Sequence, residues 1–190
     1  MKNTLLVDFK PDAGWPFGES LRETLGQDVD VEFCVSNGSR NSRFADLFRI
    51  LKYFLFPLRM VLRRRELGRV IGYQQFYALN FAFFSRLFAL KKVNELIVLE
   101  FIYKKKEGFL GKIYHRYMEF VVNSKYIDLF ICFSKEECTY YSKLFHLPGA
   151  KFQFVRLGME RLHTPPGDAV LLSEKYIFST GRSNRDYDFL

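Results

Sequence analysis

Glu95-Leu-Ile-Val-Leu-Glu-Phe101 and Ile127-Asp-Leu-Phe-Ile-Cys-Phe133 are two nearly continuous apolar runs, separated by a stretch of helical period, Phe109–Asn123. Runs this short and this apolar suit strands covered on both faces, and a helical spacer suits the crossover between parallel neighbours. The alternation extends outward in both directions. Upstream lie a β-branched run, Thr4–Phe9, and a turn-rich stretch, Pro11-Asp-Ala-Gly-Trp-Pro-Phe-Gly18, leading into a helical segment that reaches about Leu25. Val29–Val35 reads as a strand broken by Asn37-Gly38-Ser39. Helical period follows over Arg43–Arg65, a short strand over Arg69–Gly72, and an apolar helix over Gln75–Leu90. Downstream come a helix over Lys135–Phe145 and strands over Phe152–Leu157 and Tyr176–Ser179. The pattern predicts an α/β fold: a Rossmann-like open parallel sheet with helices on both faces. Ligands of such sheets bind beyond the carboxyl ends of the strands. Here those ends carry Asp8, Glu100 and Ser134, which makes Glu100 and Ser134 candidates for the ligand crevice. Ser134 and Glu137 also form a Ser-x-x-Glu capping box for the helix that follows.

Bulk composition limits the alternatives. With 48% hydrophobic residues, the chain has enough apolar material for a packed core, and its 190 residues suit one domain and part of another. Cys34, Cys132 and Cys138 show no paired spacing, which speaks against a disulfide framework and for a reducing, cytoplasmic setting. Met1–Phe9 lacks the cleavage-site pattern of a secretory leader. His115, His146 and His163 are scattered and have no metal-ligand spacing, so no metal is expected. Neither a phosphate-binding P-loop nor a Gly-x-Ser-x-Gly elbow occurs.

Charge is placed unevenly. Arg40–Arg69 holds nine basic residues against Asp46 and Glu66, a net of +7 out of the chain's +8. On a helix over Arg43–Arg65, Phe44, Leu47, Phe48, Leu51, Leu55, Leu58 and Leu62 share one face, and Arg49, Lys52, Arg59 and Arg63 form another stripe. Arg64 and Arg65 extend that stripe, and Pro57 is expected to kink or break the helix. Lys52 and Arg59 interrupt the segment well short of the ~20 apolar residues a membrane span needs. The pattern suits an interfacial helix on anionic lipid, and equally a core-facing helix with a solvated basic face. No nucleic-acid module accompanies it, so nucleic acid is not an expected partner.

The most recognisable motif lies at the end of the chain. Tyr176-Ile-Phe-Ser-Thr-Gly-Arg-Ser-Asn-Arg-Asp-Tyr187 resembles the first strand and turn of the donor domain in the retaining family 4 glycosyltransferases, enzymes of two-Rossmann GT-B architecture. Tyr126-Ile-Asp-Leu-Phe-Ile-Cys-Phe-Ser134, with the helix carrying Glu136 and Glu137, resembles the last strand and helix of their acceptor domain. Phe152-Gln-Phe-Val-Arg-Leu-Gly158 resembles the strand that leads across. The resemblance implies an acceptor domain over 1–158, a linker over 159–174 and the start of a donor-binding domain over 175–190. It further implies transfer of a sugar from a nucleotide-diphosphate sugar, with no other cofactor, to a lipid-linked or glycan acceptor at the inner face of the membrane. Arg182 and Arg185 match the family's diphosphate-binding basic positions, where a guanidinium forks onto phosphate oxygens. Gly14 and Gly18 stand where the family has its Gly-rich loop, without the adjacent glycines. Leu157-Gly158-Met159-Glu160 replaces the usual Asn-Gly-x-Asp. The family's paired glutamates would lie beyond Leu190, so residues 1–190 alone are expected not to catalyse transfer. The alternative is a non-catalytic peripheral membrane or scaffold domain of the same fold.

Overall fold

A computed structural model describes residues 2–25, 29–35 and 43–156, with side chains from residue 47 onward in the last stretch. The expected linker, the strand at Tyr176–Ser179, and Gly158, Arg182 and Arg185 lie outside the described residues. Strand and helix alternate throughout: β1 (Lys2–Val7), α1 (Pro16–Leu25), β2 (Val29–Phe33), α2 (Arg43–Leu62), β3 (Leu67–Gly72), α3 (Gln75–Leu87), β4 (Glu95–Val98), α4 (Gly108–Val122), β5 (Leu129–Cys132), α5 (Lys135–Phe145) and β6 (Phe152–Phe154). The six strands form one open sheet in the order β2-β1-β3-β4-β5-β6, and every pairing is parallel. This is the α/β, Rossmann-like class that the alternating pattern predicts.

Side-chain alternation along the strands sorts the helices onto two faces. Leu6, Val70, Leu96, Val98, Phe130 and Cys132 point to a core shared with Met60 and Val61 of α2, Leu79 and Ala82 of α3, Met118 of α4 and Phe145 of α5. Leu5, Val7, Val29 and Ile71 point the other way, against Leu21 and Leu25 of α1 and against Trp15. Four helices therefore cover one face and α1 the other. That is what right-handed crossovers require, because the chain steps once to the left, from β1 to β2, and thereafter to the right.

The strands end earlier than their apolar runs. β4 stops at Val98, and Glu100 adopts φ +54°, which turns the chain out of the extended conformation. Phe101 stays buried, but its amide donates to the Ile131 carbonyl at 2.9 Å. Apolarity marks burial here, not extension. Gly72 closes β3 against α3. A Cβ at that position would lie 2.4 Å from the Ala78 Cβ, so the side chain is excluded by the helix start above it.

Pro57 does not end α2, which runs through it. A proline has no N–H for the carbonyl four residues back, here that of Tyr53. Asn80 of α3 replaces the missing donor, its side-chain amide donating to the Tyr53 carbonyl at 2.8 Å. The Tyr117 hydroxyl of α4 donates to the Asn80 carbonyl oxygen at 2.9 Å. The buried Asn80 thus ties three helices together. Among the described residues, no helix is long and apolar enough to cross a membrane.

Candidate functional site

From β1 the chain moves outward to β2 and then returns to the other side of β1 as β3. The carboxyl ends of β1 and β3 therefore flank the point where the winding reverses, the usual crevice of an open α/β sheet. Asp8 follows β1 directly, Tyr73 and Gln74 follow β3, and Glu100 lies two residues beyond β4, so three adjacent strands deliver these side chains to one edge.

Backbone pairing at this edge fixes the site. The amides of Tyr73 and Gln74 donate to the Leu6 carbonyl at 3.0 and 3.2 Å, and the Leu99 amide donates to the Gly72 carbonyl at 2.9 Å. Gln74 then works in two directions. Its Nε2 donates to Asp8 Oδ2 at 2.9 Å, and its Oε1 accepts from the Phe76 amide at 3.3 Å as the N-cap of α3. Asp8 is thus aimed by a side chain that is itself pinned to a helix start.

Glu100 combines a left-handed backbone with a half-buried carboxyl, and burial holds that carboxyl above the usual carboxylate range. A non-glycine residue at such a φ stores roughly 1–3 kcal/mol of strain, which clusters at functional sites. The Tyr73 phenol is pushed up first by burial, then by the charges of Glu100 and Asp8, so both carboxylates bear on one hydroxyl. Asp8 also acts, after burial, on Tyr53, where Arg49 opposes it. The Tyr77 hydroxyl donates to the Cys34 carbonyl at 2.9 Å, tying α3 to the end of β2.

One wall is aromatic. Phe9, Trp15, Phe17 and Tyr73 meet with centroids 5.1–5.8 Å apart, mostly edge to face. The expected loop glycines serve this wall. Gly14 sits at φ +81°, turning the chain so that Trp15 folds back, and the Gly18 Cα packs so closely on the Trp15 ring that a Cβ would lie 3.2 Å from it. Gly18 thereby leaves room for the Trp15 ring.

The other expected site residues fall in different places. Ser134 lies at the end of β5, where its hydroxyl oxygen accepts from the Glu137 amide at 3.0 Å and Glu137 Oε2 accepts from the Phe133 amide at 3.1 Å. Ser134 caps the helix as the capping box requires, while Glu137 reaches the amide one residue before the cap instead of that of Ser134. The basic stripe of α2 is dispersed. Lys52 Nζ donates to the Val35 carbonyl at 2.7 Å, Arg63 bridges Glu32 and Glu66 at 3.0 and 3.1 Å, and Arg64 donates to the Val61 carbonyl at 3.3 Å. Arg49, Arg59 and Arg65 are exposed. Arg63–Arg65 follow the end of α2, about 20 Å along the helix from Arg49.

Among the described residues, no cluster of His, Cys, Asp and Glu could hold a metal ion. A hollow of about 330 Å³ lined by Arg86, Asn123, Ser124, Lys125 and Tyr126 lies at the opposite edge, beside the carboxyl ends of α3 and α4. Arg86 there lies over the Phe120 ring and donates to the Phe120 carbonyl, so its charge serves a helix end.

No protein-family model matches the chain, and no curated protein matches it. Tyr73, Gln74 and the aromatic wall were not singled out from the sequence. One usable signal existed: Tyr73 and Gln74 follow a strand that ends in glycine, as Asp8 follows its own strand.

Proposed function

We propose that this domain binds the acceptor in a sugar-transfer reaction, the donor being a nucleotide-diphosphate sugar and the acceptor a lipid-linked or glycan molecule at the inner face of the membrane. The observation that carries the reading is the convergence of Asp8, Gln74, Tyr73 and Glu100 with a four-ring aromatic wall at the switch point of the sheet. Sugars present apolar C–H faces and a ring of hydroxyls. Aromatic rings accept the first, and carboxylate, amide and phenol groups accept the second.

Within that reading, Asp8 orients a hydroxyl while Gln74 holds it in place. Glu100, its proton affinity raised by burial, takes hydrogen bonds from the hydroxyl that attacks the donor. The described edge offers no glycine-rich phosphate cradle. The donor diphosphate is therefore assigned to residues elsewhere, with Arg182 and Arg185 as the candidates in this chain. The basic excess of the chain supports placement at an anionic surface.

The test is a titration of isotope-labelled protein with simple hexosides. Resonances of Tyr73 and Trp15 are expected to shift, and Glu100→Gln should weaken the interaction about tenfold. Hexosides that leave these resonances unmoved would remove the proposal. A second reading, a non-catalytic peripheral membrane or scaffold domain, is favoured by the large apolar side chains left exposed on α2. It takes over if vesicles bind the protein and sugars do not.

A further inference from the structure

Leu47, Phe48, Arg49, Ile50 and Leu51 are all exposed, and five successive residues cover more than one full turn of helix. Exposed side chains therefore point to every side of α2 over this turn. The helix meets α3 only further along, where Tyr53 stacks on Phe76 at 5.7 Å and Phe54 meets Phe83 at 6.4 Å. Residues 47–51 of α2 thus present an apolar surface away from the core, with Leu47 63% and Phe48 62% exposed.

A second apolar projection begins α4. Phe109 and Leu110 are each 77% exposed, and Ile113 one turn on is 51% exposed. Gly111 between them packs so closely on the preceding loop that a Cβ would lie 2.1 Å from the Lys106 carbonyl oxygen. Helices of a parallel α/β sheet run opposite to its strands. The starts of α2 and α4 therefore both lie at the carboxyl edge, the edge that bears Asp8, Tyr73 and Glu100. α3 packs between them, through Phe54–Phe83 on one side and Phe83–Tyr117 on the other, which places the projections about 20 Å apart.

We infer that these two helix starts insert into an anionic bilayer and hold the mouth of the crevice against it. The inference rests on the membrane placement proposed above and moves the contact away from the basic stripe of α2. Charge selects the partner. Lys104, Lys105 and Lys106 lead into α4, with Lys112 and Arg116 exposed along it, against Glu107 and Glu119. Two copies meeting through this face would juxtapose their lysines, whereas anionic headgroups neutralise them while the apolar residues enter the acyl boundary. Two separated points of insertion also fix the tilt of the domain, so that an acceptor held in the membrane can rise directly into the crevice.

The experiment is co-sedimentation with vesicles of phosphatidylcholine alone and of phosphatidylcholine with about one-third phosphatidylglycerol. The unaltered protein should bind the anionic vesicles and bind the neutral ones more weakly. Phe109→Ser with Leu110→Ser, and Leu47→Ser with Phe48→Ser, should each weaken binding about tenfold or more. All four side chains are exposed, so an unchanged melting temperature is expected and serves as the folding control. Arg59→Ala with Arg65→Ala should change binding less than about twofold, because these residues lie towards the far end of α2. If the arginine variant loses binding and the two apolar variants keep it, membrane placement stands and this inference falls. If the unaltered protein ignores both vesicles, both fall, and the hexoside titration still judges the crevice separately. Self-association abolished by the apolar substitutions, without vesicle binding, would assign the surface to a second copy and overturn the inference.

Discussion

The two edges of the sheet use polar side chains in opposite ways. At the amino edge they are spent on the fold. The buried Asn94 amide lies 2.6–3.3 Å from the carbonyls of Arg64, Leu67 and Gly68. Asp128 accepts from the Leu96 amide at 2.9 Å and pairs with Lys92, Lys151 donates to the Ile127 carbonyl, and Arg69 bridges to Glu95 at 2.6 Å. At the carboxyl edge Asp8, Tyr73 and Glu100 gather on one crevice, Glu100 in a strained backbone. One edge lowers the energy of the folded chain, and the other holds groups in states that folding alone would not select.

The sharpest way to break this contrast is to substitute on the amino edge. Asn94→Leu removes a buried donor shared by three carbonyls and should cost about 3 kcal/mol, read by urea denaturation. A loss under about 1 kcal/mol would mean that this edge is not where the stability lies. Next comes Asn80→Leu, which strands both the Tyr53 carbonyl and the Tyr117 hydroxyl. A loss of about 2 kcal/mol is expected, with faster amide exchange in α2 before Pro57. Equal protection along α2 in the variant would show that Asn80 does not anchor it. On the carboxyl edge the sign should reverse. Glu100→Gly relieves the left-handed backbone and should raise stability by about 1 kcal/mol, while weakening hexoside binding. A destabilised Glu100→Gly that still binds sugar would erase the distinction between the edges.

Much of this was legible in the sequence because it is local. α5 spans the stretch that its periodicity marks, Lys135–Phe145, and the Ser134 side chain caps its start as expected. The parallel sheet follows from apolar runs too short for helices. What escaped depends on partners distant in sequence. The helical wheel places Lys52 and Arg63 on a basic stripe, but Val35 and Glu32 occupy them, and only the fold brings these residues beside α2. Pro57 reads as a kink or a break, and the remedy, Asn80, comes from another helix. The strand order sets the switch point, so Tyr73 joins Trp15 and Phe17 only once β3 lies next to β1. Leu47, Phe48 and Leu51 continue a core-like apolar face of α2 and yet are exposed, a distinction periodicity does not contain.

The finest test concerns the charge on Glu100. Burial raises its pKa in the folded protein above the unfolded value, so the folded state holds the proton more tightly. The stability linked to this proton is fully present below the unfolded pKa. It is lost as pH rises through the window between the unfolded and the higher folded value, after which the difference levels off. Glu100→Gln carries no such proton. Its stability relative to the unaltered protein should therefore climb through that window and then stay flat, as measured by denaturation at a series of pH values. Part of the carboxyl reaches solvent, so the climb should be small beside the effects above. A difference that stays level with pH, or falls, would mean that the carboxylate meets a compensating donor in the crevice. Glu100 would then belong with the satisfied groups of the amino edge, and its left-handed backbone would need another cause.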